Sequence, residues 1–207
     1  MLKSDAMKIL VATHNKGKLR EFAHLLDNLA IDWLTLDDAG IAIDIPETGA
    51  TFEDNARLKA SGYAAMSGMV TLADDSGLEV DALNGDPGVY SARYGLPEAK
   101  TSEDRYNLLL RNLEAVPDHK RTARFRCVIA LAVPDADMIV ASGACEGVII
   151  HQPRGANGFG YDPVFFMPEQ GKTMAELDPA LKNQISHRAV AVRAIRPMLE
   201  DIVRSKG

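Results

Sequence analysis

Two neighbouring aspartates, Asp74 and Asp75, directly follow the apolar run 71–73, which predicts a short buried strand. A second acidic stretch upstream contains Glu47 and Glu53. Carboxylates on loops are the hard oxygen ligands that Mg²⁺ prefers, usually with waters and substrate phosphates completing the octahedron. An adjacent carboxylate can also orient or deprotonate a water molecule. Because Asp-Asp pairs also cap helices and form turns, the pair alone leaves both a metal site and a structural role open.

A basic loop near the start of the chain could bind phosphate. It joins a strand predicted over 8–13 to a helix predicted from apolar residues at helical spacing between Leu19 and Leu29. A helix N-terminus offers N–H groups and a partial positive charge to a phosphate. The loop lacks the G-x-x-x-x-G-K-[ST] pattern of a P-loop, so a solvated helix start remains the alternative. Its residues are Thr13, His14, Asn15, Lys16, Gly17 and Lys18.

The densest glycine cluster lies in 153–162, where the glycine spacing is G-x-x-G-x-G. The predicted strand follows this loop instead of preceding it, which excludes a dinucleotide-binding βαβ unit. Glycines beside aromatics suit a loop whose backbone approaches a flat ligand, with Phe159 or Tyr161 stacking on it. An ordinary loop with buried aromatics is the alternative.

Donor-rich residues begin the last predicted helix, which spans 187–203. Ser186, His187 and Arg188 stand together, and Lys182 precedes them by about one helical turn. These groups could bind a base edge or a phosphate, or they could cap the helix and face water. His187 has no cysteine or carboxylate partner at triad spacing, which argues against nucleophilic catalysis.

Strand and helix patterns mix along the chain in an order that predicts an α/β fold with an antiparallel part. A capping-box pattern at Thr51 and Asp54 predicts a helix that ends near Ala65. The other predicted features are a tight turn at Asn84-Gly85, a helix capped by Ser102, and a hairpin of strands 125–133 and 138–150.

The composition limits the class of protein. Nearly half of the 207 residues are apolar, which predicts a globular core in one domain or two small lobes. The net charge of -6 argues against a protein that covers a nucleic-acid backbone. Residues 1–6 predict a frayed extension, and the chain contains no apolar run long enough for a membrane span. Cys127 and Cys145 show neither metal-ligand spacing nor a disulfide pattern. From these cysteines and the lack of an apolar span, we expect a soluble cytoplasmic protein.

Taken together, these segments resemble the family of noncanonical purine nucleoside triphosphate pyrophosphatases, also called inosine triphosphate pyrophosphatases or the Ham1-like family. The resemblance extends over almost the whole chain from Met7, and the joint order of its motifs is specific. The motifs are Thr13-x-Asn15-x-x-Lys18, Glu47-Thr48-Gly49, Phe52-Glu53-Asp54-Asn55-Ala56, Leu72-Ala73-Asp74-Asp75-Ser76-Gly77-Leu78, Pro87-Gly88-x-Tyr90-Ser91-Ala92-Arg93, Gly158-Phe159-Gly160-Tyr161-Asp162-Pro163 and Ile185-Ser186-His187-Arg188.

The resemblance implies an elongated, two-lobed α/β fold with a mixed sheet and the active site in its central cleft, formed by one domain over 1–207 and assembled as a homodimer. It also implies Mg²⁺-dependent hydrolysis of ITP, dITP and XTP to the nucleoside monophosphate and pyrophosphate. Small-molecule nucleotides are then the partners, and neither nucleic acid nor a membrane is expected.

The resemblance also assigns roles to individual residues. The loop from Thr13 to Lys18 would hold the triphosphate together with Lys59. Asp75 and Glu47 would serve the metal and the water, with Asp75 as the general base. The residues implied to bind the nucleotide are Ser76, Phe159, Gly160, Tyr161, Asp162, Lys182, His187 and Arg188, with Phe159 against the base and the last two near its edge.

Three other functions compete with this interpretation. One is a house-cleaning pyrophosphatase for other modified or pyrimidine nucleotides, and another is a nucleotide-binding sensor without catalysis. The acidic pair and the lysines disfavour the sensor. A nucleic-acid-binding module would need a basic stripe that the composition does not provide.

Overall fold

The computed structural model describes residues 6–27 and 29–205. The predicted extension therefore lies outside the described residues, except for Ala6, which directly precedes the first strand. The strands are β1 (Met7–Val11), β2 (Ile31–Thr35), β3 (Val70–Val80), β4 (Thr122–Ala132), β5 (Ile139–Ile149), β6 (Phe165–Met167) and β7 (Lys172–Thr173). The α-helices are α1 (Lys16–Leu25), α2 (Phe52–Ser67), α3 (Ser102–Asn112), α4 (Pro179–Ile185) and α5 (His187–Ser205).

The strands form one mixed sheet in the order β2-β1-β3-β4-β5-β6-β7. Strand β1 pairs in parallel with β2, where Ile9 lies opposite Trp33, and also with β3. At the other side of the sheet, β6 is antiparallel to both β5 and β7. The predicted hairpin is present as the sheet neighbours β4 and β5. The prediction of an α/β fold with an antiparallel part is confirmed.

The chain divides into two compact units. The first contains the described residues up to Asp75, together with Cys127–Gly143 and the chain from Val190 on. Apolar residues of α1 and α5 pack with those of the central strands in its core. The fully buried members of this core include Ile9, Leu72, Ile129 and Ile195.

The second unit contains Ser76–Arg126 and Ala144–Ala189. Its core is a separate apolar cluster that includes Leu78, Leu109, Phe125 and Phe165. The rings of Phe125 and Phe165 are tilted against each other, with their centroids 4.5 Å apart.

Helix α2 illustrates how local signals fix an element. Thr51 Oγ1 accepts from the Asp54 N–H, and Asp54 Oδ2 accepts from the Thr51 N–H, both at 3.1 Å. This is the predicted capping box, which satisfies two N–H groups at the helix start. The helix ends at Gly68, whose φ of 68° lies in the left-handed region that glycine tolerates best.

Two sequence-based predictions about element boundaries are wrong. Asp74 and Asp75 do not follow a strand on a loop, because β3 continues through both of them to Val80. Packing in the sheet between β1 and β4 overrides the turn preference of the Asp-Asp pair. Helix α3 is capped by Thr101 and not by Ser102, because the Thr101 hydroxyl accepts from the Asp104 N–H.

The sequence patterns did not indicate β2, β7 or α4, which are all short, whereas the strand predicted after the glycine-rich loop is present as β6. They did indicate the turn at Asn84-Gly85, where the Gly85 N–H donates to the Val80 carbonyl at 3.0 Å. None of the helices in residues 6–27 and 29–205 combines the length and apolar character that crossing a bilayer requires.

Candidate active site

The predicted phosphate loop lies between β1 and α1 in the first unit. Asn15 caps α1, with its Oδ1 accepting from the N–H groups of Gly17 at 2.9 Å and Lys18 at 3.2 Å. The Thr13 hydroxyl accepts from the Asn15 N–H at 3.2 Å. Because the cap already engages two of the amides, phosphate affinity here would depend chiefly on the lysine side chains and the positive helix end.

The two basic side chains of this loop have different surroundings. Lys16 is exposed, whereas Lys18 is largely buried and its Nζ lies 3.0 Å from Asp74 Oδ2. Asp74 is buried and also accepts a weak contact from Cys127 Sγ at 3.8 Å. His14 is partly exposed, with Nε2 3.4 Å from Asp44 Oδ1. Thus one aspartate of the acidic pair anchors a lysine of the phosphate loop.

The second aspartate faces helix α2. Lys59 Nζ lies 3.6 Å from Asp75 Oδ1 and 2.6 Å from Glu47 Oε1. The Lys59 and Asp75 side chains are 12% and 7% exposed, and that of Glu47 is 27% exposed. The structure therefore brings together Lys59, Asp75 and Glu47, the three residues to which the resemblance assigns the chemistry.

Burial and charge act against each other at this lysine. Burial lowers the pKa of Lys59, but the charges of Asp75, Asp74 and Glu47 outweigh it, so the net pKa is raised. Lys59 is consequently a cation at neutral pH. A permanent positive charge on α2 beside two carboxylates can bind and polarise an anionic phosphate.

Burial is also the largest influence on Asp75, and it raises the pKa of this carboxyl. Lys59 and Lys18 lower the pKa, Glu47 raises it, and the hydrogen bond from Asn55 lowers it, with a net upward shift. A carboxylate with a raised pKa is a stronger base than an ordinary one, which suits a group that accepts a proton from water.

The carboxylates of this cluster match the donor chemistry of Mg²⁺. Mg²⁺ binds hard oxygen ligands and commonly takes only one or two protein carboxylates, with waters and substrate phosphates in the remaining positions. Glu47 and Asp75 both approach the same Lys59 ammonium, so their oxygens already converge on one cation. Within the described part of the chain, no group of three or more His, Cys, Asp or Glu side chains is arranged to hold a metal ion, so protein side chains alone would supply at most two ligands here. The residues fit a metal that is shared with a phosphate substrate.

The glycine-rich loop lies in the second unit, where Asp162 organises it. Asp162 Oδ2 accepts from the Phe159 N–H at 2.9 Å and from Lys182 Nζ at 2.6 Å. Lys182 Nζ in turn lies 5.0 Å from the centroid of the Phe159 ring. Gly158 has a φ of 79°, and a Cβ at this position would overlap the Asp162 carboxylate. A glycine is therefore required for this loop to close on its anchor.

The two aromatics of the loop differ in exposure. Phe159 is 36% exposed, so its ring can stack on a ligand. Tyr161 is buried in the core of the second unit, and its hydroxyl donates to the Ser91 carbonyl at 2.9 Å. Burial raises the pKa of Tyr161. Gly160 lies between them with a φ of 64°, which turns the chain from the exposed ring to the buried one.

The donors predicted at the start of α5 are buried in the same unit. The His187 ring stacks on Phe125, with centroids 4.9 Å apart and an interplanar angle of 18°. Arg188 is only 1% exposed, and its Nη2 donates to Ser76 Oγ at 2.9 Å. Ser186 caps the helix by accepting from the Ala189 N–H at 3.3 Å. The structure thus links Arg188 to Ser76, the residue that follows Asp75 on β3.

Sequence patterns missed two contributors to the first cluster. One is the Asp74 contact with Lys18, which requires the β3 residue to lie beside the start of α1. The other is Asn55, which is fully buried and donates to Asp75 Oδ2 at 3.1 Å. A signal for it existed, because Asn55 and Lys59 interrupt the helical stripe of Phe52, Ala56, Ala60 and Tyr63. Polar residues on the buried face of a helix need partners.

Comparisons with known proteins show the family to which the chain is similar. A family model described as the Ham1 family matches residues 9–198. The chain is 50% identical over 200 residues to a dITP/XTP pyrophosphatase of Geobacillus kaustophilus, and the alignment covers 97% of this chain and 98% of the relative.

Solved structures give the same result. The structure of a HAM1 protein from Coxiella burnetii matches with a TM-score of 0.84 and 43% identity, covering 96% of this chain and 99% of that chain. The structure of the Staphylococcus aureus Ham1 protein matches with a TM-score of 0.83 and 38% identity, covering 97% of this chain and 100% of that chain. The resemblance carried by the sequence motifs is confirmed, and the chain belongs to the Ham1 family.

Proposed function

We propose that the chain is a nucleoside triphosphate pyrophosphatase that hydrolyses dITP, XTP and ITP to the nucleoside monophosphate and pyrophosphate. Relatives that are 50% identical over nearly the full chain are dITP/XTP pyrophosphatases. The observation that carries the proposal is the convergence of Glu47 and Asp75 on the Lys59 ammonium. This cluster combines a base, a cation and hard oxygen ligands at one place.

The reaction transfers the α-phosphoryl group to water. The oxygen of a water molecule bonds to the α-phosphorus while the bond from that phosphorus to the α,β-bridging oxygen breaks. Pyrophosphate leaves with the bridging oxygen, and the water loses a proton. We assign that proton to the Asp75 carboxylate, one oxygen of which is held in place by the Asn55 carboxamide.

The lysines stabilise the negative charge that accumulates on the leaving pyrophosphate. Lys59 is cationic and held beside Asp75, and Lys18 is held against Asp74 at the start of α1. Fixed charges of this kind need no rearrangement as the charge develops. We also propose Mg²⁺ as the cofactor, held by Asp75 and Glu47, where it would neutralise the phosphate oxygens.

We assign recognition of the nucleoside to the second unit. The exposed Phe159 ring offers a stacking surface for a purine, and Lys182 and Asp162 fix the loop that carries it. Ser76, His187 and Arg188 are the proposed polar contacts. Tyr161 and Gly160 would contribute by shaping the loop, because the Tyr161 side chain is buried.

The rival functions make different predictions for one panel of triphosphates. Purified protein is incubated with dITP, XTP, ITP, ATP, GTP and dUTP, with and without Mg²⁺, and pyrophosphate release is measured. The proposal predicts release from the first three substrates and only with Mg²⁺. Preference for dUTP would indicate another house-cleaning pyrophosphatase, and binding without release would indicate a sensor.

We also propose that the protein is a homodimer, as the resemblance implies, and that it works in the cytoplasm without a nucleic-acid partner, as the composition indicates. The mass of the particle in analytical ultracentrifugation tests the dimer. The net charge of -6 supports the absence of a nucleic-acid partner.

A further inference from the structure

We propose that Asn55 is a positioning residue that fixes the Asp75 carboxylate and the segment carrying Glu47 relative to each other. The inference rests on the proposed function, because it assumes that Asp75 and Glu47 serve the reaction. Asn55 is fully buried on α2, and both ends of its carboxamide are hydrogen bonded.

The first contact orients Asp75. Asn55 Nδ2 donates to Asp75 Oδ2 at 3.1 Å, while Asp75 Oδ1 is the oxygen 3.6 Å from Lys59 Nζ. The two oxygens of this carboxylate therefore have different partners. A carboxylate with one oxygen held in this way presents the other in a fixed direction, which a base or metal ligand needs.

The second contact positions Glu47. Asn55 Oδ1 accepts from the Gly49 N–H at 2.8 Å, and Gly49 lies two residues after Glu47. Glu47 itself reaches Lys59, which is one helical turn after Asn55 on α2. Residues four apart project from the same face of a helix. One face of α2 thus holds the Glu47 segment at two points.

The close approach of Gly49 supports the same conclusion independently. A Cβ at Gly49 would lie 2.8 Å from Asn55 Oδ1 and 3.0 Å from the Asn55 backbone nitrogen, and it would overlap Asp54 Cβ. The absence of a side chain here lets the segment reach the carboxamide. Any side chain at Gly49 would push the segment, and with it Glu47, away from α2.

Only an amide satisfies both partners of Asn55. The Gly49 N–H requires an acceptor and the Asp75 carboxylate requires a donor, so the two contacts also fix the orientation of the amide. An aspartate at this position would retain the acceptor but would place a second negative charge against Asp75. Asn55→Asp therefore preserves the volume of the side chain and the acceptor for Gly49 but replaces the donor to Asp75 by a second carboxyl group.

The experiment compares Asn55→Asp and Gly49→Ala with Asn112→Asp, a control in which an exposed asparagine on α3 is changed in the same way. For each variant, kcat and KM are measured with dITP, the Mg²⁺ concentration at half-maximal rate is determined, IMP binding is measured by calorimetry, and Tm is recorded. We expect both test variants to lose about 10- to 100-fold in kcat, the usual effect of removing a residue that orients a ligand.

The supporting result is this loss of kcat in both variants together with a higher Mg²⁺ requirement in Gly49→Ala, which changes no charge, while KM, IMP affinity and the control stay near the parent values. Unchanged kcat in both variants would overturn the inference, as would a loss of kcat that follows the loss of folded protein. Failure of both variants to fold would assign Asn55 a structural role only.

The parent protein and Asp75→Asn separate this inference from the proposed function. A parent that releases no pyrophosphate from dITP overturns both. An active parent, an inactive Asp75→Asn and a fully active Asn55→Asp would overturn the role of Asn55 and leave the proposed function standing.

Discussion

Replacing Lys59 by methionine removes the ammonium that two carboxylates share and keeps most of the side-chain length. In the parent protein this group lies 2.6 Å from Glu47 Oε1 and 3.6 Å from Asp75 Oδ1. Without it, Glu47 and Asp75 lose an ammonium that lies within 4 Å of both carboxylates. The folded state should therefore become less stable when no other cation is present.

The size of the effect follows from burial. Breaking a buried ion pair by removing one partner costs about 3–5 kcal/mol. The Lys59 side chain is 12% exposed and Glu47 is 27% exposed. Because water reaches part of this cluster, we expect a free energy of unfolding lower by about 3 kcal/mol. For a chain of this size, 1 kcal/mol corresponds to about 2–4 °C in Tm, so the Tm should fall by about 6–12 °C.

The assay is thermal unfolding of the parent and of Lys59→Met in metal-free buffer and in increasing Mg²⁺, with exposed Lys120 changed to methionine as the control. A cation that binds only the folded state stabilises it in proportion to the logarithm of its concentration. Mg²⁺ should therefore raise the Tm of Lys59→Met more than that of the parent, in which the ammonium already neutralises the same oxygens. If the Tm of Lys59→Met in metal-free buffer falls no further than that of the control, or if Mg²⁺ raises both Tm values equally, then Lys59 does not neutralise these two carboxylates.

Three further outcomes are expected. Asp75→Asn should retain the Tm within a few degrees but lose most turnover at saturating Mg²⁺. The reason is that an amide can neither accept the proton nor supply the negative charge. An unchanged kcat would exclude a catalytic role for Asp75. Arg188→Ala should lower the ratio of kcat/KM for ITP over ATP, whereas equal losses on both would assign Arg188 to holding Ser76. Burial raises the pKa of Asp75, so at low Mg²⁺ we expect kcat/KM to fall with decreasing pH at a midpoint above the ordinary carboxyl pKa of about 3.9. Saturating Mg²⁺ should move this midpoint to lower pH. A midpoint that does not change with the Mg²⁺ concentration would contradict the assignment to Asp75.

Local signals predicted the elements whose ends are defined by short-range hydrogen bonds. The capping box of Thr51 and Asp54 marks the start of α2. Helix α1 begins at Lys16, inside the predicted phosphate loop, because Asn15 caps it. The helix predicted from His187 begins at that residue. These features depend on residues within one turn of each other, so the sequence pattern contains the information they need.

The surroundings of the acidic pair could not be predicted in this way. Turn chemistry favours a loop at Asp74-Asp75, but the sheet extends β3 through both residues. The buried charges are tolerated because Lys18 and Lys59 come from two different helices to meet them. Such pairing depends on tertiary packing, which overrides local preference.

The glycine-rich loop was likewise predictable only in part from the sequence. Its glycines at positive φ, including Gly158 and Gly160, fit the predicted irregular segment. The Tyr161 side chain is buried and its hydroxyl donates to the carbonyl of Ser91, which is distant in the sequence, whereas Phe159 is exposed. The sequence spacing could therefore not show which ring, Phe159 or Tyr161, is exposed, because tertiary contacts determine it.

In the proposed reaction, water attacks the α-phosphorus and both distal phosphates leave together as pyrophosphate. The most direct test is to follow the products of dITP hydrolysis by ³¹P NMR and chromatography with purified protein and Mg²⁺, using Asp75→Asn as the control. We predict dIMP and pyrophosphate in equal amounts from the parent and far less of both from the variant. Formation of dIDP and orthophosphate would show that water attacks the γ-phosphorus instead.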